Sequence, residues 1–497
     1  MHQNKPPYVL AIDVGTSSVR VIAYDHYGSS VTGIEARAQY QFAITADGAV
    51  EIDPERLFNI VAECIDSVLA LLGERSKELL AVATTTFWHS LVGIDKQGRA
   101  LTPLINWNDT RSRGEAARLR NQVSEVDLHA RTGCRLHASY WPAKLGWLAD
   151  TRSQLMTQVR YWLSFGDYLF SRLFGEILSS LSMASGTGLL NQHSCDWDDM
   201  TLAFLPIDAS QLPTIVDINS PCIGLRNEFA TRWPALADIP WYPPLGDGAC
   251  SNIGCGCTDP SRFALMIGTS GALRAVAARE NFVIPSGLWC YRIDRRRIVM
   301  GGALANGGNL FAWMRDSLQL PSLEEFEKAL TEIAPDSHGL TLLPLFSGER
   351  SPGWRDDATA ALIGLRLATQ PVEILRAGLE AVAYQFALIY KRLADYFDPP
   401  SEVIATGGAL RRSSVWRDII ADVLGMGLRL SAEPEASSRG AALLVLEANG
   451  LLSDLALASA GFVQNHLPNA ENHKIYQQAC TRQQALYRTL IVDDWQR

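Results

Sequence analysis

The chain has 497 residues, 47% of them hydrophobic and 20% charged, with a formal net charge of −9. That length exceeds one ordinary core, so two large domains are expected, and the acidic balance leaves no domain-wide basic excess to neutralise nucleic-acid phosphates. No apolar run reaches membrane-spanning length, the opening MHQNKPPYVL lacks the apolar core of a secretory signal, and nine scattered cysteines without a CxxC pattern point to a reducing cytoplasm.

Tyr8 to Ile12 is a continuous apolar run of the kind found in strands buried on both faces, and Asp13 stands at its end. Gly15, Thr16, Ser17 and Ser18 form a short turn, and a second strand, Val19 to Tyr24, carries Arg20. Backbone N–H groups and hydroxyls in such a turn suit phosphate oxygens, and the acid suits Mg²⁺, directly or through water. An ordinary hairpin with an acid beside it uses the same residues. A third strand follows the YDHYGS turn, and Asp53-Pro54-Glu55 opens a helix with apolar residues from Leu57 to Val68. Leu79 to Thr84 is a strand leading into FWHS, with Trp88 and His89, and a further strand runs toward NWNDTRS, with Trp107, Asn108, Asp109 and Arg111. Aromatic faces beside polar groups suit sugar recognition, although a single Trp is more often core. Residues 113 to 240 read as a mainly helical insertion. Asp247 lies between Gly246 and Gly248 just before a small-residue helix; this suits a general base for a hydroxyl proton, although position alone favours a helix N-cap. Cys255 and Cys257 read as small core residues.

Phe263 to Ile267, then Gly268, Thr269, Ser270 and Gly271, then Leu273 to Ala277 repeat the first hairpin about 250 residues later, with Met266 in the position of Asp13. The duplication separates the two readings of the turn, because two such hairpins would clamp a nucleotide between lobes. An ANGGN loop with Gly308 precedes a helix from Asn309 to Leu318; SGERSPGW is an exposed loop; Pro371 to Phe397 is a long amphipathic helix. Ser401 to Thr406 is a strand turning through GGALRR, with Gly408 and Arg412, into another helix, and RGAALLVLEANG is a final buried helix ending at Gly450. Neither a Walker A sequence nor GxGxxG occurs, which argues against P-loop and Rossmann nucleotide sites.

These motifs together resemble the FGGY family of carbohydrate kinases over residues 8 to 450. The resemblance implies an α/β, two-lobe actin-like (ribonuclease H-like) ATPase fold, mixed sheets flanked by helices with the active site in the cleft between lobes. The division expected is 1–257, bearing the sugar site and the base, and 258–497, bearing the nucleotide site. It implies ATP and Mg²⁺ as cofactors, Asp13 at the metal, Thr16, Ser17, Ser18, Arg20, Gly268, Thr269, Gly308, Gly408 and Arg412 at the nucleotide, and Asp247 as the catalytic base. Trp88, His89, Trp107, Asp109, Arg111 and Asp247 would meet a small sugar, sugar acid or polyol. The His89-Ser90 pair and SGERSPGW resemble the gluconate-kinase branch; xylulose or another polyol is the alternative acceptor. A nucleotide-switched regulatory protein of the same fold is the alternative from another class. The segment before Lys144 is one residue shorter than the family pattern, which leaves the role of that lysine open. The assembly state is open too, a homodimer included.

Overall fold

The computed structural model describes residues 6–318, 320, 323–458 and 460–493, so the first five residues of the opening segment lie outside the described part. The first sheet begins with β1 (Tyr8–Val14), β2 (Ser18–Tyr24) and β3 (Ser30–Gln39), an antiparallel meander. Helix α1 (Pro54–Leu72) follows, capped by the Asp53 carboxylate, which accepts from the Glu55 N–H at 3.0 Å, with Pro54 at the first helical position. Leu57, Val61, Ile65 and Val68 of this helix are buried against the sheet. Strand β4 (Leu79–Thr86) then pairs parallel to β1. The insertion between residues 113 and 240 is mainly helical, and includes α2 (Trp141–Thr151). The chain returns to the sheet as β5 (Leu245–Gly246), parallel to β4, and α3 (Asp247–Gly254) starts at once. The spatial order is β5-β4-β1-β2-β3.

The second sheet contains β6 (Arg262–Ile267), β7 (Gly271–Ala278), β8 (Trp289–Arg292) and β9 (Arg297–Leu304). Helices α4 (Gly308–Ser317) and α5 (Pro371–Phe397) come next, then β10 (Glu402–Thr406), α6 (Ser414–Leu424), β11 (Leu428–Ser431) and α7 (Ala436–Ala448). Strand β12 (Phe462–His466) closes the sheet, and α8 (Ala470–Tyr487) follows it. The order β8-β9-β7-β6-β10-β11-β12 contains β9-β7-β6-β10-β11. That core has the same order and sense as β3-β2-β1-β4-β5, so the duplicated hairpin seen in the sequence is the visible part of a duplicated sheet.

Helix α7 differs from the sequence expectation. It begins at Ala436, ends at Ala448, and is followed by α8 rather than being the last helix. Its apolar side meets Val9 and Ala11 of β1 and Ala81 and Ala83 of β4, although it comes from the second half of the chain. It crosses α3 at backbone contact: a Cβ on Gly254 would lie 1.8 Å from Ala436 O, and one on Gly440 would lie 1.8 Å from Cys250 O. Both positions must therefore be glycine for the two halves to meet. Among the described residues no helix is long and apolar enough to cross a membrane.

Candidate active site

The β1–β2 turn is closed by the Gly15 N–H on Ser18 O at 3.0 Å, which leaves Thr16 and Ser17 exposed while Ser18 is buried at the start of β2. Asp13 is buried at the end of β1, with Arg20 Nη1 3.1 Å from its Oδ2. Its pKa is pushed up to about 7, first by burial and also by the Asp247 and Glu435 charges, with Arg20 opposing. In the second hairpin the Gly268 N–H meets Ser270 O at 3.0 Å and Thr269 is exposed. The Gly308 and Asn309 N–H groups donate to Gly268 O at 2.9 Å and Thr269 O at 3.0 Å, which docks the start of α4 onto this hairpin. Gly407, with φ +94°, sits where a Cβ would be 2.3 Å from Ile267 O, so the turn out of β10 lies directly against the end of β6. Gly268, Thr269, Gly308 and Gly408 therefore converge at one end of the second sheet, with Gly408 and Arg412 exposed on the short helical turn Gly408–Arg412.

Asp247 is the first residue of α3. Its N-cap is Gly246, so the acid stands one position inside the helix rather than capping it. Among the described residues the one donor recorded on its carboxylate is its neighbour's Gly248 N–H at 2.7 Å. Burial raises its pKa and Arg274 opposes, a setting in which a carboxylate accepts a proton more readily than in water. Arg274, buried on β7, reaches Gly248 O at 3.5 Å. Behind Asp247, the Trp88 indole lies flat on Gly246, where a Cβ would be 1.8 Å from the ring, and its Nε1–H donates to Ser182 O at 2.8 Å.

Trp88 is thus a wall under Asp247. His89, in the left-handed region at φ 68°, lies beside it with ring centroids 5.0 Å from Tyr140 and 5.5 Å from Tyr291. The Tyr140 and Tyr291 hydroxyls are hydrogen-bonded at 2.7 Å, which joins the insertion to the second sheet. The His89 Nδ1–H donates to Gly186 O, and burial together with Arg350 holds its pKa well below the usual value, so the ring is neutral with Nε2 as an acceptor. The Asp109 carboxylate accepts from the Val50 N–H at 3.0 Å and from Arg111 at 2.7 Å, while Arg111 also pairs with Glu51 at 2.8 Å and stacks over Trp147. These two residues, expected at the acceptor, spend their charges on each other and on the scaffold. Trp107 is half-buried with the Arg350 guanidinium 5.2 Å above its ring.

Two family domains match the chain: the N-terminal domain of the FGGY family of carbohydrate kinases over residues 8–254 and its C-terminal domain over residues 263–448. The chain belongs to the FGGY family. The gluconokinase of Bacillus subtilis (strain 168) is 27% identical over 482 residues, covering 94% of this chain and 93% of that protein. A ligand-bound xylulose kinase from Lactobacillus acidophilus superposes with a TM-score of 0.89 at 27% identity, covering 97% of this chain and 98% of that one. A gluconate kinase from the same organism gives 0.88 at 26%, with the same coverage. The fold is therefore the two-lobe actin-like fold of these kinases, and the chain is a carbohydrate kinase, a phosphotransferase whose family uses ATP.

In this FGGY kinase Arg274, Tyr140, Glu435 and Arg350 also stand near these groups, beyond the residues expected from the sequence. Arg274 carried a signal, being a charged residue in a strand otherwise apolar and small, just as Arg20 is in the first hairpin. Tyr140 and Glu435 carried none, since their partners Tyr291 and Arg20 are distant in sequence. Lys144, left open by its shortened segment, donates through Nζ to His89 O and Asn106 O at 2.8 Å each. It ties the FWHS and NWND segments together.

Proposed function

We propose that this kinase phosphorylates a primary hydroxyl of a sugar acid, gluconate being the acceptor, with Asp247 as general base. The observation that carries the reading is the half-buried Asp247 carboxylate at the start of α3, which among the described residues has no recorded donor beyond the Gly248 N–H and feels the buried Asp13. Asp247 takes the hydroxyl proton as the oxygen attacks the terminal phosphorus of ATP. The hydroxyls and N–H groups of Thr16, Ser17 and Thr269 bind phosphate oxygens, with Gly308 docked beside them, and Gly408 and Arg412 meet the adenosine, a reading supported by Arg412 Nη2 lying 3.8 Å from where a Cβ on Gly408 would be. Asp13 fits Mg²⁺, because a buried carboxylate neutralised by one arginine and pressed by two further acids gains from a divalent ion. Bound there, Mg²⁺ would offset phosphate charge. His89 Nε2 accepts from an acceptor hydroxyl, and Trp88 and Trp107 wall the pocket. The division at 257/258 assigns base and acceptor to one domain and adenosine to the other.

The neutral-ketose reading is favoured by the similarity to the Lactobacillus acidophilus xylulose kinase. The test is a coupled ADP-release assay over gluconate, xylulose, ribulose and erythritol with ATP and Mg²⁺. Gluconate should have the highest specificity constant. A neutral sugar exceeding it tenfold, about 1.4 kcal/mol of transition-state preference, overturns the acceptor and leaves the kinase.

A further inference from the structure

We propose that Arg350 binds the carboxylate of the sugar-acid acceptor, so that a loop from the second half of the chain completes the pocket formed by the first. The inference rests on the sugar-acid reading above. An acid acceptor requires a cation or several donors for its carboxylate. The cations nearest by motif are already committed. Arg111 lies between Asp109 and Glu51, 2.7 and 2.8 Å away. Lys144 points both its hydrogen bonds at backbone carbonyls. His89 spends its one N–H on Gly186 O and carries no charge. Arg274 belongs to the other end of the site, where its charge acts on Asp247.

Arg350 differs from all of these. No ion pair with a carboxylate is recorded for it among the described residues, and its Nε is buried without a hydrogen-bond partner. Its guanidinium lies 5.2 Å from the Trp107 ring centre and 5.9 Å from that of Trp354 and is hydrogen-bonded to the Tyr140 hydroxyl, so aromatic side chains hold it and its charge meets no carboxylate. The planar fork that results matches a carboxylate in two-point contact. Its charge is felt by His89, Lys144 and Tyr140, so it belongs to the acceptor side.

The loop that carries it is fixed at both ends. Ser351 exchanges hydrogen bonds with Ala303 of β9 at 2.9 and 3.1 Å, and the Trp354 Nε1–H donates to Gly287 O at 3.2 Å. Two residues on, Asp356 pairs with Arg120 at 2.6 Å and His137 at 2.7 Å from the first half. Arg350 therefore reaches Trp107 from across the cleft, and its position depends on how the two halves meet.

The experiment crosses a change in the ligand with a change in the protein. Specificity constants are measured for gluconate and for gluconamide, which keeps every hydroxyl and loses the charge, on the wild-type kinase and on Arg350→Gln and Arg350→Met. The wild-type preference for the acid should be about 30-fold or more, the scale of a charge-assisted bidentate contact. It should collapse toward unity in the variants, with the loss carried by the KM for gluconate. A variant that keeps the wild-type preference overturns the assignment of Arg350 and leaves the acid reading intact. A wild-type enzyme that prefers xylulose tenfold over gluconate overturns the acid reading and this inference with it. Should neither variant fold, phenylglyoxal modification of the wild-type protein decides the matter by mass spectrometry. Gluconate should slow labelling of Arg350 and gluconamide should not; equal labelling with both overturns the proposal.

Discussion

Asp13 and Arg20 face each other across the β1–β2 ladder, with Arg20 Nη1 3.1 Å from Asp13 Oδ2, and the Nε of the same guanidinium stands 3.0 Å from Glu435 at the start of α7. One cation from the first half therefore serves two carboxylates, one from each half, and Arg37 meets Glu435 from the other side. The arrangement holds the Asp13 carboxylate in one orientation while leaving it under-compensated for its burial. Asp13→Asn should raise the Mg²⁺ concentration needed for half-maximal activity by roughly tenfold or more, the loss expected when a charged ligand becomes neutral. Binding of the acceptor without nucleotide should change little. An unchanged Mg²⁺ titration removes Asp13 from the metal site.

Asp247→Asn keeps the size of the side chain and the contact with the Gly248 N–H, and takes away the proton acceptor. Turnover should fall by about 10² or more, the usual scale of general-base catalysis, with the acceptor KM moving far less. Because Gly246 is the N-cap, the variant keeps the helix start, and thermal unfolding should stay near wild type. Near-full turnover in a folded variant means that another group takes the proton.

The parts of this molecule written locally were legible in the sequence. A Gly-Thr-Ser turn after an apolar strand, repeated once, gave both hairpins, and Asp53-Pro54 placed the start of α1 because capping chemistry involves adjacent residues. The parts that depend on distant partners were not. Nothing local to RGAALLVLEA says that the helix lies on β1 and β4, and the Ala-Ser-Ser start of α7 reads as loop until Glu435 is seen beside Arg20. Helix α8 buries few residues, among them Tyr476, Ala479 and Gln483, so its periodicity is weak. Arg111 and Arg350 make the same point in opposite directions. Arg111 is drawn into the scaffold by Glu51, which is far away in sequence, and Arg350 is placed by Trp107, which is also distant.

Glu349, next to Arg350, is buried with Oε2 accepting from the Tyr487 hydroxyl at 2.6 Å and Oε1 from the Gly353 N–H at 3.1 Å. Burial pushes its pKa up to about 7 from 4.5. Between those values the folded chain holds a proton that the unfolded chain releases, so stability falls as pH rises through this window, by about 3 kcal/mol from this group in all. Asp167, raised to about 6 by burial, acts in the same direction. The quantity to measure is therefore the difference between wild type and Glu349→Gln in chemical unfolding from pH 4 to pH 8. The variant should gain on the wild type as pH rises, and a difference that does not vary with pH refutes the buried-proton account.

Lys144 offers the sharpest separation between shape and chemistry. It lies in the first turns of α2, buried, and its Nζ bridges His89 O and Asn106 O, the backbone at the two segments proposed to flank the acceptor. Burial lowers its pKa from 10.5 to about 7, and a neutral amine still has two N–H groups for two carbonyls, so the bridge does not require the charge. For a lysine lowered in this way the unfolded chain binds the extra proton between about 7 and 10.5, and this group's contribution to stability rises with pH across that interval. Lys144→Met fills the space, leaves His89 O without the lysine donor at a cost of about 1–3 kcal/mol, and leaves Asn106 O with the Asp109 N–H at 3.4 Å. His89 would also lose the contact that holds its left-handed backbone at φ 68°. The acceptor KM should therefore rise by roughly tenfold while the KM for ATP, whose hairpins lie elsewhere, stays near wild type. A variant whose ATP and acceptor KM values rise together shows a general loosening of the fold instead. One that loses stability with both KM values unchanged shows that the bridge supports the fold without shaping the pocket.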